Sequence, residues 1–184
     1  MKIKEMALDN KSIYIIDDFL PKEKIDQFYE HVKTLPFTRF ETDDEHDEYP
    51  IFSVDFKPDT LLGSYVGEKV EELLSELKIN DNLILRRSYV NMSHYGDMGF
   101  PHYDCGQDET DITVLYYVNN EWDYTWGGET FFYVDKDPQA VVLPKPGRVV
   151  VFPGNIEHLG GIPSRVCKVS RFSLALKYMH GLEL

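Results

Sequence analysis

The sequence lacks several features that define whole classes of protein. It has two cysteines among 184 residues, Cys105 and Cys167, which are too few for a disulfide framework. Lysine and arginine total 19 against 32 acidic residues, so the formal net charge is −13 and binding of nucleic acid through its phosphates is not expected. No apolar run reaches the length of a membrane-spanning helix, and Met1–Asn10 is charged where a signal peptide would be apolar. These absences favour a cytoplasmic protein with no membrane partner.

What the composition does contain is enough apolar material for a folded core. Hydrophobic residues make up 42% of the chain and aromatic residues 14%. Such fractions are typical of a globular protein rather than a disordered one. The length fits one domain better than two, so we predict a single domain over residues 1–184.

The apolar spacing predicts helices in the first half of the chain and strands in the second. Ser12–Asp17 has the composition of a strand, a helix is predicted to begin at Pro21, and a second helical pattern runs from Leu62 to Leu77. The candidate strands after it are Leu83–Met92, Phe100–Asp104, Asp111–Asn119, Glu129–Val134, Ala140–Leu143, Arg148–Phe152 and Lys168–Tyr178. We therefore predict an α+β, mainly β fold, in which a β-sandwich or barrel carries the helices on one sheet.

An acid-dense segment, Glu41–Glu48, separates the two predicted helices. A solvated loop is the simpler interpretation of so many like charges. A lid that contacts substrate is the alternative, because loops often carry the contacts that determine specificity.

His102 and Asp104 lie two residues apart in a strand-like run. Alternate residues of a strand point to the same face, so both side chains can bind one ion. His158, which follows the apolar run before it and a Pro-Gly turn, is the best candidate for a third ligand. Two histidines and one carboxylate, with open positions opposite them, are typical of non-haem Fe(II) oxygenases. The His-x-Asp spacing alone occurs often by chance, so the surrounding residues have to support it.

Those surrounding residues resemble one family. They are Ile13-Tyr-Ile-Ile-Asp-Asp-Phe-Leu20, Tyr95-Gly96, Phe100-Pro-His-Tyr-Asp104, Thr113-Val-Leu-Tyr-Tyr-Val-Asn119, Trp122, Gly127-Gly-Glu-Thr130, Pro146-Gly-Arg-Val-Val-Val-Phe152, His158 and Arg171-Phe-Ser-Leu174. In this order, and over nearly the whole chain, they are similar to the motifs of prolyl 4-hydroxylase-like Fe(II)/2-oxoglutarate-dependent dioxygenases. The resemblance implies a double-stranded β-helix core (jelly-roll, cupin-like) and a hydroxylase that uses Fe(II), 2-oxoglutarate and O2, with ascorbate as a supporting reductant.

A cation is needed to bind the far carboxylate of 2-oxoglutarate, and arginine suits this role because its fork grips a carboxylate with two hydrogen bonds. On the last strand, alternation puts Arg171 on one face with Ser173 and Ala175, while the bulky apolar residues between them face the helices. Arg171 also carries the family motif. Its interval from His158 is long for the family, and Lys168 lies nearer the usual spacing. We expect Arg171 to be the anchor and keep Lys168 as the alternative.

The resemblance also assigns Tyr95 and Tyr117 to the 2-oxoglutarate site, where their hydroxyls would donate to its carboxylates. With 12 tyrosines in the chain, packing in the core is the competing interpretation for both. His94 is expected to be structural and Cys105 a buried thiol. Trp122 and Trp126 could form a rim for substrate or pack beside the turn.

Three functions are compatible with these residues. The first is hydroxylation of a peptidyl residue, preferably proline, because the motifs most resemble that branch. The second is hydroxylation of a small molecule such as a free amino acid or sugar on the same scaffold. The third is a non-catalytic barrel that binds a metal or ligand. The carboxylate of Asp104 occupies the position that halogenases of this superfamily leave open for chloride, which favours hydroxylation. The acidic charge disfavours nucleic-acid demethylation.

Overall fold

The structure is a computed structural model that describes residues 1–43, 48–79 and 82–181. Its helices are α1 (Lys22–Val32), α2 (Pro58–Leu62) and α3 (Tyr65–Glu76), with a short 3-10 turn at Tyr124–Trp126. Its strands are β1 (Lys2–Leu8), β2 (Lys11–Asp17), β3 (Thr38–Glu41), β4 (Ile51–Phe56), β5 (Leu83–Ser93), β6 (Ile112–Tyr117), β7 (Thr130–Val134), β8 (Asp137–Val142), β9 (Val149–Pro153), β10 (His158–Gly160) and β11 (Arg171–His180).

The strands of the described residues form two sheets in which every pairing is antiparallel. The major sheet has eight strands in the order β1-β2-β9-β6-β11-β5-β4-β3. The minor sheet has three strands in the order β10-β7-β8. The long strand β11 lies between β6 and β5 in the major sheet, so residues from three neighbouring strands line the same region.

The three helices cover the outer face of the major sheet. Apolar residues of α1 and α3, among them Val32, Val70 and Leu74, are fully buried against alternate residues of the strands, such as Leu174 and Leu176 of β11. Ser64 caps α3 by accepting a hydrogen bond from the backbone N–H of Gly67 at 3.2 Å. Because these strand residues face the helices, the residues that alternate with them must face the opposite side of the major sheet.

A second apolar cluster lies between the two sheets. Phe132 of the minor sheet packs against Phe152 of the major sheet, with ring centroids 5.0 Å apart, and Val150 and Ile13 lie in the same cluster. The alternation along β9 divides its side chains, because Val149 and Val151 belong to the helix-side core while Val150 and Phe152 belong to this one. The residues of β11 that face inward lie beside this cluster and border an open cavity.

The mainly β (α+β) architecture with helices on one sheet is confirmed, and most predicted strands are present within two to three residues of their predicted bounds. The predicted strand Phe100–Asp104 is wrong. Only His102 forms an isolated bridge there, with His158. Pro101 has no backbone N–H to donate, so the segment makes single contacts and not a continuous ladder.

Four strands of the described chain were not predicted, namely β1, β3, β4 and the three-residue strand β10. β1 pairs along its whole length with β2, although three of its seven residues are charged. It is an edge strand, where charged residues are common because they discourage pairing with other chains. β3 and β4 flank the acid-dense segment and continue the other edge of the major sheet. Their short length hides the period of two on which strand prediction depends.

Two expectations on composition are tested by the structure. Both cysteines are free thiols, as expected from their small number. Cys105 is half-buried rather than fully buried, and its burial raises its pKa to about 11. Among the described residues, no helix has the length and apolar character needed to cross a membrane.

Candidate metal centre and co-substrate cavity

The side chains of His102, Asp104 and His158 converge at one point. One ligand atom from each of them lies within 4.8 Å of the others. Nε2 of His102 is 3.6 Å from Oδ1 of Asp104, and Nε2 of His158 is 3.4 Å from Oδ2. The arrangement brings two imidazole nitrogens and a carboxylate to the same side of a small space, which is the donor set of a metal site with open positions.

Backbone pairing sets this geometry. His102 and His158 form an antiparallel bridge, and Asp104 donates its backbone N–H to Gly154 at 2.8 Å. Gly154 lies in the turn after β9, and a Cβ there would lie 3.2 Å from the Cβ of Asp104. The His-x-Asp segment is therefore held against β10 on one side and the turn on the other.

Each histidine has one ring nitrogen fixed by the backbone. Nδ1 of His102 donates to the carbonyl of Phe100 and Nδ1 of His158 to the carbonyl of Ile156, both at 2.9 Å. Since a carbonyl can only accept, each Nδ1 carries the proton and each Nε2 presents its lone pair to the site. Burial lowers the pKa of His158 to about 3, which keeps its imidazole neutral near pH 7.

Two residues hold the carboxylate of Asp104. The hydroxyl of Thr113 donates to Oδ2 at 2.5 Å, and the ammonium of Lys177 contacts the same oxygen. Burial acts to raise the pKa of Asp104, but the positive charge of Lys177 acts the other way, and the pKa of this carboxyl lies well below its usual value. Asp104 is therefore ionised at neutral pH, as a metal ligand has to be.

A cavity of about 390 Å³ extends from this centre between the sheets. Its β11 side is formed by Arg171, Ser173, Ala175 and Lys177, in the alternation expected from the sequence. The residues between them are in the helix-side core, so the predicted alternation of the last strand is confirmed, with its other side facing the cavity.

Arg171 is the buried cation of this cavity. Its Nε donates to the carbonyl of Gly128 at 2.9 Å and its Nη1 to the hydroxyl of Ser173 at 3.1 Å. Its Nη2 is buried and has no hydrogen-bond partner among the described residues. Gly128 has a φ of 77°, and a Cβ there would lie 2.9 Å from Cδ of Arg171, so a glycine is required for the guanidinium to reach this position.

The other residues predicted for the co-substrate lie elsewhere or act indirectly. Tyr117 is buried with its hydroxyl against Thr130 at 2.7 Å, and its ring lies under the Arg171 guanidinium at 5.6 Å. Tyr95 is 64% exposed and does not line the cavity. Lys168 is exposed in the loop before β11 and does not line it either. The structure thus brings the metal triad and Arg171 to one cavity, with Tyr117 supporting Arg171, and leaves Tyr95 and Lys168 outside it.

The expectation of a solvated loop at Glu41–Glu48 is wrong for its first three residues. Glu41, Thr42 and Asp43 are half-buried and line the cavity. Asp43 accepts a hydrogen bond from the backbone N–H of Phe100 at 2.5 Å and lies 3.4 Å from Nδ1 of His102. Residues 44–47 of this segment lie outside the described residues. Charge density alone predicted exposure, but pairing of β3 with β4 brings this end of the segment onto the site.

Sequence reasoning missed several residues of the cavity, and three of them bear on its chemistry. Thr113 and Lys177 contact Asp104, and Asn91 of β5 has a buried amide oxygen with no partner among the described residues. Lys177 could have been predicted from the sequence, because it lies two residues after Ala175 and continues the alternation of Arg171, Ser173 and Ala175 along β11. His94 is structural as expected, with Nε2 2.8 Å from the hydroxyl of Ser170.

The tryptophans pack together and away from the cavity. The rings of Trp122 and Trp126 meet edge to face with centroids 5.4 Å apart, and the indole N–H of Trp122 donates to the carbonyl of Gly127 at 3.0 Å. Neither ring lines the cavity. Of the two roles considered for them, packing beside the turn is the one that the structure supports.

Comparison with solved structures establishes the fold. The chain is similar to a prolyl-4-hydroxylase from Pseudomonas putida, with a TM-score of 0.66, 15% identity and coverage of 92% of each chain. It is also similar to a viral collagen prolyl hydroxylase from Paramecium bursaria Chlorella virus-1, with a TM-score of 0.65, 18% identity and coverage of 95% of this chain and 94% of that one. The α-ketoglutarate-dependent epimerase SnoN of nogalamycin biosynthesis matches with a TM-score of 0.63, 16% identity and coverage of 91% and 77%. The predicted jelly-roll fold is thereby confirmed.

Two comparisons of the sequence with known proteins gave different results. No curated protein matches the chain significantly. The model of the 2OG-Fe(II) oxygenase superfamily matches residues 90–179. That range contains the metal triad, both contacts of Asp104 and the buried arginine. The superfamily uses Fe(II), 2-oxoglutarate and O2, and the three converging ligands fit such a metal. This match over about half of the chain, together with the likeness of fold to solved 2OG-Fe(II) oxygenases, indicates a 2-oxoglutarate-dependent dioxygenase.

Proposed function

We propose that the protein is an Fe(II)- and 2-oxoglutarate-dependent hydroxylase whose preferred substrate is a peptidyl prolyl residue. In this proposal His102, Asp104 and His158 bind Fe(II), and Arg171 binds the far carboxylate of 2-oxoglutarate. One observation carries it: the triad and a buried arginine with an unpartnered Nη2 border the same cavity. The whole of residues 1–184 would act as one domain.

The proposed ligands are already oriented for a metal. The backbone holds Nδ1 of each histidine, so each Nε2 faces the site. Thr113 and Lys177 contact Oδ2 of Asp104, which limits the rotation of the carboxylate and leaves Oδ1 beside His102. When bound, Fe(II) supplies the activation of O2 that decarboxylates 2-oxoglutarate to succinate and CO2 and inserts one oxygen atom into a substrate C–H bond. The same three side chains also accept other divalent metals.

Arg171 has the burial and the geometry of a carboxylate anchor. Its guanidinium cannot lose its proton at neutral pH, and a buried charge without a partner is costly, so an anionic ligand is favoured there. Ser173 beside it offers a further hydroxyl. Tyr117 supports the guanidinium from below, and we propose that it acts through Arg171 rather than on the ligand. Lys168 and Tyr95 lie outside the cavity. Lys168 is therefore kept only as the alternative anchor, and Tyr95 is a weaker candidate for contact with 2-oxoglutarate.

A prolyl substrate is supported by the motif resemblance and by the cavity mouth. Tyr49, Met98 and Tyr103 line the cavity and are each about half exposed, at 55%, 45% and 48%. Aromatic and thioether side chains of this kind provide apolar surface for a ring such as that of proline while staying accessible to an incoming chain. The walls around the centre would then exclude water while the substrate is bound.

A small-molecule substrate is the second candidate. The fold likeness to an epimerase of antibiotic biosynthesis favours it, since the same scaffold serves reactions other than prolyl hydroxylation. A non-catalytic binding protein is the third, and the complete triad with its carboxylate anchor counts against it. A cytoplasmic location remains part of the proposal.

A substrate screen separates the first two candidates. The full chain with Fe(II), 2-oxoglutarate and ascorbate would be incubated with proline-containing peptides and, separately, with free amino acids and sugars. We expect a proline peptide to gain one oxygen atom, as measured by mass spectrometry, and no gain with the Asp104→Ala variant. Oxygen gained by a free amino acid or sugar and by no peptide would replace the first candidate with the second.

A further inference from the structure

β5 carries a β-bulge beside the cavity, at Arg86. Lys177 of β11 pairs with Arg87, but the next residue, Tyr178, pairs with Leu85, so Arg86 has no partner in the ladder. In a regular strand Leu85 and Arg87 would share a face. Here Leu85 belongs to the helix-side core while Arg87 lines the cavity. The bulge changes the alternation at Arg86 and turns both arginines toward the cavity, which is what bulges next to sites commonly do.

Arg87 of β5 and Lys177 of β11, the cations nearest to Arg86 in the sheet, are both paired with carboxylates. Arg87 donates to both oxygens of Glu41, at 2.9 and 2.6 Å, and to Asp55 at 3.0 Å. Lys177 is paired with Asp104. Arg86 is exposed at the cavity wall, and the described residues offer it neither a hydrogen-bond acceptor nor an ion-pair partner. Among the described residues, it is therefore a cation of the cavity whose charge no neighbouring carboxylate neutralises.

The ligand of Arg86 must differ from that of Arg171. Arg171 and Lys177 are separated by six residues of β11, roughly 20 Å of extended strand, and Arg86 lies at the Lys177 end. In the proposed function, 2-oxoglutarate has its far carboxylate on Arg171 and its keto-acid end at the metal centre, so neither end of it is left for Arg86. Lys177 contacts Asp104, which places Arg86 on the metal side of the cavity, where the substrate has to approach.

We infer that Arg86 binds a carboxylate of the organic substrate and that the enzyme selects carboxylate-bearing substrates. Arginine is suited to this role because its planar fork matches the two oxygens of a carboxylate and keeps its charge at every physiological pH. The carboxylate belongs either to an acidic residue next to the target residue of a peptide or to a free amino acid. The inference rests on the proposed function, since it assigns the substrate of that same centre.

The test compares substrates that differ only in charge. One pair is a proline peptide with Asp and Glu neighbours and the same peptide with Asn and Gln, and the other is free proline and prolinamide. Binding to the full chain loaded with Ni(II) and 2-oxoglutarate is measured by calorimetry, and turnover is measured with Fe(II). We expect the carboxylate member of one pair to bind about tenfold more tightly than its amide counterpart. The pair that shows the preference identifies the source of the carboxylate.

Substitutions at Arg86 test whether this residue causes the preference for a carboxylate over an amide. In Arg86→Gln the carboxylate and amide members should bind equally, and in Arg86→Glu the amide member should bind better. Arg165→Gln, which removes an exposed arginine outside the cavity, is the matched control and should keep the wild-type preference. Equal binding within both pairs in wild type, or an unchanged preference in Arg86→Gln, would overturn the inference. Failure of the proposed function would be recognised separately, as the absence of Fe(II)-dependent 2-oxoglutarate turnover in wild type.

Discussion

His102 and His158 exchange both of their backbone hydrogen bonds, at 2.9 and 3.0 Å, and their rings lie 4.5 Å apart between centroids. They are 56 positions apart in the chain, yet this one bridge aligns their Nε2 atoms on the carboxylate of Asp104. The bridge is isolated, so no other rung of a ladder would hold the pair if it were lost. The metal centre therefore depends on the docking of the minor sheet onto the segment that carries His102.

Thr113→Val should weaken metal binding without unfolding the protein. The substitution keeps the shape of the side chain and removes the hydroxyl that donates to Asp104. Loss of such a contact to a metal ligand typically costs 10- to 100-fold in metal affinity. A titration with Ni(II) would measure this. Thr60→Val, at an exposed position of α2, is the control, and equal affinities for the two variants would show that Thr113 does not position Asp104.

Arg171→Gln should raise the KM for 2-oxoglutarate strongly. It removes the charge and the unpartnered Nη2 of the buried guanidinium. Truncating one partner of a buried charge pair costs about 2–5 kcal/mol, so the KM should rise about thirtyfold or more. Lys168→Gln, at an exposed position, should leave it unchanged. The opposite result, with Lys168→Gln impaired and Arg171→Gln normal in succinate-formation assays, would move the anchor to Lys168.

Gly128→Ala should damage both stability and co-substrate binding. The backbone of Gly128 has a φ of 77°, which costs an alanine roughly 1–3 kcal/mol, and the new methyl would collide with Arg171. Urea unfolding should give a lower free energy of unfolding, and the KM for 2-oxoglutarate should rise. Gly63→Ala, where φ is −76° and the added Cβ would meet only an ordinary contact at 3.4 Å, should change neither. Equal effects of the two substitutions would contradict the close approach of Arg171 to Gly128.

The sequence predicted the parts of the site that follow from local rules. The spacing of His102 and Asp104 predicted that both side chains reach one ion, and the inward face of β11 follows from alternation once Phe172 and Leu174 are assigned to the core. The residues it did not predict depend on long-range pairing. Arg86 faces the cavity because of a bulge, and Glu41 to Asp43 reach it because β3 pairs with β4, and neither feature has a local pattern. Tyr95 was assigned from resemblance alone, and the turn that carries it is exposed.

Asp17→Asn should destabilise the protein in a pH-dependent manner. Arg148 donates to both oxygens of Asp17, at 2.6 and 2.9 Å. This hydrogen bonding holds the pKa of Asp17 below its ordinary value. An acid with a lowered pKa in the folded state contributes stability above its unfolded pKa and loses it as the pH falls through the folded value. Because Asp17 is partly exposed, we expect a loss of only about 1 kcal/mol at pH 7.

The stability gap between wild type and Asp17→Asn should narrow as the pH is lowered from 5 toward 3, since wild-type Asp17 then becomes protonated. Urea unfolding at several pH values would measure it. A gap that is constant over this range would mean that the charge of Asp17 does not contribute to the pair with Arg148.

The most direct measurement is the formation of succinate from 2-oxoglutarate by the purified chain with Fe(II) and ascorbate, compared with the same assay on His102→Ala and Asp104→Ala. We predict Fe(II)-dependent succinate in wild type and none above background in either variant, with all three proteins folded by circular dichroism. Wild type that neither binds 2-oxoglutarate in the presence of metal nor converts it, or variants that convert it as well as wild type does, would contradict the assignment of the metal centre.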